Sequence, residues 1–306
     1  MVVMKNKQKR VDLQVHSTYS DGSLTPSELF RLAKKQGVEI LVVCDHDGAE
    51  GMPDVKRSAK KYGFPFISGI EMTVTYKGEE LHLLGYGFDY NHTAMKRAAK
   101  FYMNSREKRM KKMILNLQKI GYKVTFAEVS KRAKKVIGRP HLADQVIFNK
   151  ENRILLKKEF GFLPDRSKFI QKYIIKGKKA FTEKKNLSAK EGIKLIHSAG
   201  GYTFISHPLG RRYSPDLSLW PVKGGWSQNL LQLKKMGLDG IEVYASDHFV
   251  KDISSLLKFA ERHNLYVSGG SDFHNKNIPG LLLGYISQTR AIPYSVGEGL
   301  LKLVAK

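Results

Sequence analysis

The sequence predicts an α/β fold interrupted by one helical segment. Short apolar runs alternate with amphipathic stretches, as they do when strands are covered by helices. Most of those runs carry His, Asp or Glu, several at their ends, and the alternation stops between about 92 and 187, where the segments become long, helical and basic. With 306 residues, 42% hydrophobic and 26% charged, the chain suits one large domain or two small ones. It has no low-complexity tract or fixed repeat, so disordered and solenoid classes are excluded.

The first strand is "RVDLQVH", leading through "STYSDG" to the helix "TPSELFRLAKKQG". There Thr25 is the expected N-cap, Pro26 opens the helix, Glu28 completes a capping box and Gly37 stops it. "EILVVCDH" is the second strand, followed by the helix "VKRSAKKYG"; "FPFISGIEMTVTY" and "ELHLLGYGF" are the third and fourth. "AKEGIKLIHSAGG" precedes the fifth strand "YTFISHP", "GIEVYAS" is the sixth, and "DISSLLKFAERHN" precedes the seventh, "LYVSGGSDFH". In the interruption, "REKRMKKMILNLQKIG" puts Met110, Met113, Ile114, Leu117 and Ile120 on one helical face and lysines on the other. The expected organisation is a strand–helix body at 1–91 and 188–306, with a basic helical insert at 92–187.

Lys and Arg number 53 against 28 Asp and Glu, a net charge of +25. Such a balance favours a polyanionic partner, nucleic acid first, because each neutralised phosphate releases a counterion. The single cysteine, Cys44, forbids an internal disulfide and suits a reducing compartment. "MVVMKNKQKR" lacks the apolar run of a signal peptide, and no segment approaches a membrane span. The expectation is a soluble, cytoplasmic protein with no membrane role; no protein partner is legible.

Position makes the polar residues informative. His16 ends the first strand, with Asp21 just beyond; Asp45 and His46 end the second; Glu71 lies in the third and His82 in the fourth. His207 closes the fifth, and Asp272 and His274 close the last. Strand ends converge on one face of an α/β barrel, where catalytic groups gather. A lone His there is ordinarily a packed or hydrogen-bonded residue, but ten scattered histidines would not concentrate at strand ends by chance. Imidazole with carboxylate suits Zn²⁺, Mn²⁺ or Fe²⁺, and Glu71 is placed to bridge two ions, an arrangement suited to phosphoryl displacement.

Taken in order, "DLQVHSTYSDGSLTPSEL", "VVCDHD", "SGIEMT", "LHLLGYGFDYNH", "GRPHLA", "KGKKAF", "AGGYTFISHP", "DGIEVYASDH" and "GGSDFHNKNIPGLLLG" resemble the PHP (polymerase and histidinol phosphatase) family of metallo-phosphoesterases. The likeness is strongest to its 3',5'-nucleotide bisphosphatases and 5'-3' exoribonucleases. It implies a distorted (β/α)7 barrel with an insert and two to three divalent ions at the strand ends. The first ion would take Gln14, His16, Glu71 and Asp272; the second Glu71, His82 and His207; the third Asp21, His46 and His274. Glu71, His207 and Asp272 would serve catalysis. Asp45 is expected either to orient an imidazole or to cap a helix.

The family pattern at the first strand is His-x-His, so Gln14 is a departure. An amide oxygen is a weaker donor than imidazole, while strand alternation still points residues 14 and 16 to the same side. The expectation is a weakened first metal; a binding-only relative and an introduced substitution stay open. The resemblance also implies that Arg139, His141 and Lys178 of the insert hold substrate phosphate, with His248 and Arg211–Arg212 as further candidates. A bidentate guanidinium and an ammonium suit that task. Phe101, Tyr102 and Tyr122, interleaved with lysines, either stack on a single strand or belong to the core. The implied activity is hydrolysis of a phosphate ester on a nucleotide or short 5'-phosphorylated RNA. The alternatives are a histidinol-phosphate-type phosphatase, a non-catalytic nucleic-acid binder and a polymerase-associated module.

Overall fold

The computed structural model describes residues 9–132, 137–210, 225–275 and 282–305; Arg211 and Arg212 lie outside them. The chain divides into two compact units, residues 100–186 and the remainder.

The larger unit is built on β1 (Arg10–Val15), α1 (Pro26–Gln36), β2 (Val38–Val43), α2 (Met52–Tyr62), β3 (Gly69–Tyr76) and β4 (Glu79–Tyr86). At its caps α1 matches the sequence reading. Thr25 Oγ1 accepts from Glu28 N–H, the Glu28 carboxylate accepts from Thr25 N–H, and Gly37 closes the helix at φ 77°. Lys77 and Gly78 take φ 49° and 82° in the two-residue turn joining β3 to β4, the left-handed backbone that a tight hairpin requires. That turn reverses β4 against its neighbours.

After α3 (Thr93–Lys119), the smaller unit holds α4 (Phe126–Arg132), α5 (Arg139–Phe148), α6 (Arg153–Phe160) and α7 (Arg166–Tyr173). The chain then returns through β5 (Leu187–Ser188), α8 (Ala189–Ser198), β6 (Tyr202–Ile205), α9 (Trp226–Lys235), β7 (Gly240–Ala245), α10 (Val250–Arg262), β8 (Tyr266–Gly270) and α11 (Tyr294–Val304). The sequence reading omitted α9 and α11. Neither has a side-chain N-cap, so the local signal that marks α1 is missing at both.

The strands pair as β1–β2 and as β5–β3–β4–β6–β7–β8, with β4 the antiparallel member against β3 and β6. Parallel bridges at Val15–Phe273 and His46–Glu71 join the two sheets, closing seven strands into a distorted (β/α)7 barrel. Both seams are sewn by backbone groups at the strand ends. His16 N–H donates to Phe273 O at 2.9 Å and Asp272 N–H to Gln14 O at 3.0 Å; Glu71 N–H donates to Asp45 O at 3.2 Å and Asp47 N–H to Glu71 O at 2.9 Å. The seams therefore run through the residues that carry the polar cluster.

The smaller unit has its own core. Met110, Met113, Ile114 and Leu117 are buried as the α3 pattern requires, against Val129, Leu142, Val146, Leu156 and Phe169. Ile120 is only partly buried beside them. Tyr122, Phe169 and Tyr173 pack edge-on or tilted within 5.5 Å. Asn152 ties its own segment to two others from inside: its Oδ1 accepts from Lys123 N–H, and its Nδ2 donates to Lys123 O and Val146 O.

Gly270 supports the β8–β1 seam by leaving room for its neighbour, since a Cβ there would lie 2.3 Å from Gln14 Cβ and 2.8 Å from Gln14 N. Backbone cannot retreat as a flexible side chain can. Gly270→Ala is therefore expected to destabilise the chain by about 1–3 kcal/mol, measured as a lower urea midpoint with an unchanged m-value.

Candidate metal centre

Glu71 is the middle of the site. It lies on β3, is 1% exposed, and each carboxylate oxygen meets two imidazoles. Oε1 is 2.8 Å from His82 Nδ1 and 3.3 Å from His207 Nε2; Oε2 is 3.0 Å from His16 Nε2 and 3.4 Å from His46 Nδ1. His82 reaches Glu71 because β4 is reversed: Thr73 pairs with His82 and Glu71 with Leu84, making Glu71 and His82 diagonal neighbours.

Around this hub, three groups of donors lie close enough to share an ion. They are His16, Asp21, His46 and His274; His46, Glu71 and His82; and His16, Glu71 and Asp272. Asp272 Oδ1 is 3.1 Å from His16 Nε2, and Asp21 Oδ1 is 3.3 Å from His274 Nε2 and 3.7 Å from His46 Nε2. The His16 and His274 rings stack with centroids 4.0 Å apart. Both ring nitrogens of His16, Nδ1 of His46 and Oε2 of Glu71 are buried without a hydrogen bond. Orphaned donors of this kind, aimed at one another and drawn from imidazole and carboxylate, fit divalent cations.

Burial opposes ionisation here, and neighbouring charge overcomes it. For Glu71, burial would raise the pKa, but His82 and His46 hold the carboxyl well below its usual range. For Asp21, the same burial is outweighed by His46 and His274. Burial works against a charged His207, yet its hydrogen bond to Glu71 pushes it up to about 10. His16 is likewise raised by Asp272 and Glu71 against its burial. His46 behaves oppositely, with burial bringing it down to about 4.

A layer of buried acids that sequence reasoning missed holds these residues in place. Asp12 accepts from Ser271 N–H at 2.9 Å and Ser271 Oγ at 2.6 Å, gripping the residue before Asp272. Glu242 Oε2 accepts from His207 N–H at 2.7 Å and Ser206 Oγ at 3.3 Å. Asp47 accepts from Thr73 N–H at 2.7 Å, two residues beyond Glu71. His207, Asp272 and Asp47 have positive φ of 25°, 55° and 59°, conformations that persist only when their surroundings enforce them. The legible signal was an acidic residue within an otherwise apolar strand, as in "RVDLQVH" and "GIEVYAS".

Asp45 takes neither role expected of it. Its carboxylate accepts from Ser17 N–H at 2.8 Å, Ser17 Oγ at 2.6 Å and Ser20 Oγ at 2.6 Å. It anchors the loop between His16 and Asp21 instead of an imidazole or a helix end. His248 is a second correction. It is buried, Nδ1 donates to Val243 O at 2.9 Å and Nε2 accepts from Leu209 N–H at 3.1 Å. With both nitrogens engaged by backbone, and burial lowering its pKa, His248 is a structural residue and has no donor left for phosphate.

Gln14 is completely buried, and its Nε2 donates to Ser206 Oγ at 3.1 Å. Ser206 Oγ also stands 3.1 Å from Glu71 Oε1, so the amide joins the polar network around the hub. Arg139, His141 and Lys178 belong to the smaller unit. Arg139 is half-buried in the first turn of α5, and Lys178 is exposed. His141 Nδ1 accepts from Gly138 N–H at 3.1 Å, which sets the tautomer with the proton on Nε2.

Two expectations follow from this geometry. Glu242→Gln should weaken Mn²⁺ affinity about 10- to 100-fold, the usual effect of loosening a group that orients a ligand, with Asp12→Asn behaving alike; calorimetric titration of the metal-free protein checks both. Neighbouring carboxylates raise the pKa values of His16 and His207, so an ion held by them would displace protons. Affinity should therefore rise with pH towards about 10, the His207 value, with protons released on binding. His46, already neutral at pH 7, contributes none. Titrations in buffers of different ionisation enthalpy measure the release directly.

Comparison with known proteins agrees with this picture. The PHP domain family model matches residues 12–203. The chain is 31% identical over 267 residues to a 5'-3' exoribonuclease of Haemophilus influenzae, covering 87% of this chain and 90% of that one. It is 28% identical over 277 residues to a 3',5'-nucleoside bisphosphate phosphatase of Chromobacterium violaceum, covering 90% of each. A solved Bifidobacterium adolescentis structure, assigned as a metal-dependent phosphoesterase, superposes with a TM-score of 0.79 at 25% identity over 96% of both chains. No helix among the described residues is long and apolar enough to cross a membrane.

Proposed function

The chain belongs to the PHP domain family, and from that membership we propose that it is a divalent-metal-dependent phosphoesterase acting on nucleotides or short 5'-phosphorylated RNA. The observation that carries the reading is the convergence of four imidazoles on the buried Glu71 carboxylate, with orphaned nitrogens on His16 and His46. The names of the Haemophilus and Chromobacterium relatives support the substrate class.

We assign two to three ions, Mn²⁺, Zn²⁺ or Fe²⁺, to Gln14, His16, Asp21, His46, Glu71, His82, His207, Asp272 and His274. Ions held there supply Lewis acidity towards phosphoryl oxygens and lower the pKa of water. Glu71 spans the cluster and fixes the spacing of His16, His46, His82 and His207 through its two oxygens. Asp21, more exposed than the other carboxylates of the cluster, supplies negative charge towards the open side. His248, neutral and backbone-bonded, keeps the turn after β7 in place. Arg139 and Lys178 are assigned to substrate phosphate, Arg139 for bidentate contact and Lys178 as a point charge, with His141 assigned to the same group. A cytoplasmic location fits a nucleotide or RNA substrate.

Gln14 sets the sharpest test. With Mn²⁺ supplied, the chain should hydrolyse adenosine 3',5'-bisphosphate or a short 5'-phosphorylated RNA. Gln14→His should lower the metal concentration for half-maximal rate about 10- to 100-fold by restoring an imidazole donor. Activity appearing only in Gln14→His would mean that the missing imidazole alone disables the site. Silence of both proteins on both substrates would sink the phosphoesterase reading.

A further inference from the structure

Charge is unevenly divided between the two units. Residues 100–186 hold 25 Lys and Arg against 7 Asp and Glu, so 87 residues carry +18 of the chain's +25. A generally lysine-rich composition would spread that excess over the other 219 residues as well. Of the aromatic side chains expected to accompany this charge, Tyr102 and Tyr122 are each 1% exposed and belong to the core, while Phe101 on α3 is 37% exposed.

Exposed rings occur elsewhere in the unit. Phe148, at the end of α5, is 65% exposed, and Phe162, between α6 and α7, is 48% exposed. Each carries a cation over its face: Arg132 at 5.3 Å from the Phe148 centroid and Lys168 at 4.8 Å from that of Phe162. Lys172 lies 4.4 Å from the centroid of Phe160, which itself meets Phe162 at 6.4 Å. α5 and α7 are tied together by the forked Arg166–Asp144 pair, with Nε to Oδ1 at 2.8 Å. Nearby acids are engaged within the unit, Glu159 by Lys172 and Asp165 by Lys168.

We propose that the α5–α7 end of the insert is a docking surface for single-stranded nucleic acid, with Phe148 and Phe162 as stacking platforms and Arg132, Lys168 and Lys172 facing the phosphates. Stacked bases and a basic track are the two elements that sequence-tolerant strand binding requires. A duplex hides its base faces, whereas a single strand presents them to exposed rings. The proposal rests on the reading above and adds a surface on the insert, apart from the candidate metal centre, where a strand is held.

The test uses the full chain and a fluorescently labelled, 5'-phosphorylated oligoadenylate, with affinity read by anisotropy over a series of salt concentrations. Turnover of adenosine 3',5'-bisphosphate is measured in parallel. Phe148→Ala with Phe162→Ala should weaken strand binding roughly tenfold per ring. Lys168→Ala with Lys172→Ala should lower the salt slope by about 1.4, at about 0.7 per phosphate contact. Neither pair should change bisphosphate turnover. Phe148→Trp and Phe162→Trp should retain binding and show tryptophan quenching as bases stack, which separates a lost platform from a damaged fold. Strand affinity indifferent to both rings, or a Trp signal that the strand leaves unchanged, overturns the proposal. If no substrate is turned over while ring-dependent strand binding persists, the surface stands and the phosphoesterase reading falls.

Discussion

The structure depends on Glu71. Its backbone N–H and C=O bond to Asp45 and Asp47 and so close one of the two barrel seams. Its side chain, almost fully buried, lies within 3.4 Å of four imidazoles. A buried carboxylate needs compensating polar neighbours. The imidazoles around Glu71 come from the ends of β1, β2 and β6 and from β4, so the strands must close before they surround it. Barrel closure therefore also assembles the His and carboxylate cluster.

Held this way, the site concentrates strain that the surrounding acids absorb. His207 and Asp272 take positive φ, which for a residue with a Cβ costs of order 1–3 kcal/mol. Each is preceded by a serine, and each serine hydroxyl meets a buried acid on an adjacent strand, Glu242 for Ser206 and Asp12 for Ser271. Asp45 does the same for Ser17, which follows His16. Burial raises Asp12 to about 6 and Glu242 well above the ordinary carboxyl range, opposed in both cases by the hydrogen bonds they accept.

Features governed by local rules were readable from the sequence. The Thr25–Glu28 capping box, the Gly37 stop and the buried stripe of α3 each depend on residues within one or two turns. The histidines and carboxylates at strand ends were readable because an α/β barrel brings those ends together whatever the sequence separation. What escaped depends on packing across the chain. His248 and Asp45 look like site residues by spacing, yet the loops that consume their polar atoms are fixed by Leu209, Ser17 and Ser20. Glu242 and Asp12 read as strand interior until β6 and β8 supply their partners. The exposed rings of the insert were invisible because helical periodicity separates faces of a helix but not the free ends of a bundle.

Gln14 illustrates how a polar network can accommodate a changed ligand. An imidazole turned into an amide at a buried position would ordinarily leave donors unmatched, at about 1–3 kcal/mol each. Here Ser206 Oγ receives the Gln14 amide hydrogen and also stands within hydrogen-bonding distance of Glu71 and Glu242. The hydroxyl rotates to suit whichever partner needs it. Gln14 is therefore accommodated at a completely buried position without leaving its amide hydrogen unpaired in the core. Decay of an abandoned site would not be confined in this manner: His16, Asp21, His46, Glu71, His82, His207, Asp272 and His274 are all present, and the acids that hold their backbone are still buried and bonded. A framework this completely retained is what the phosphoesterase reading proposed above requires.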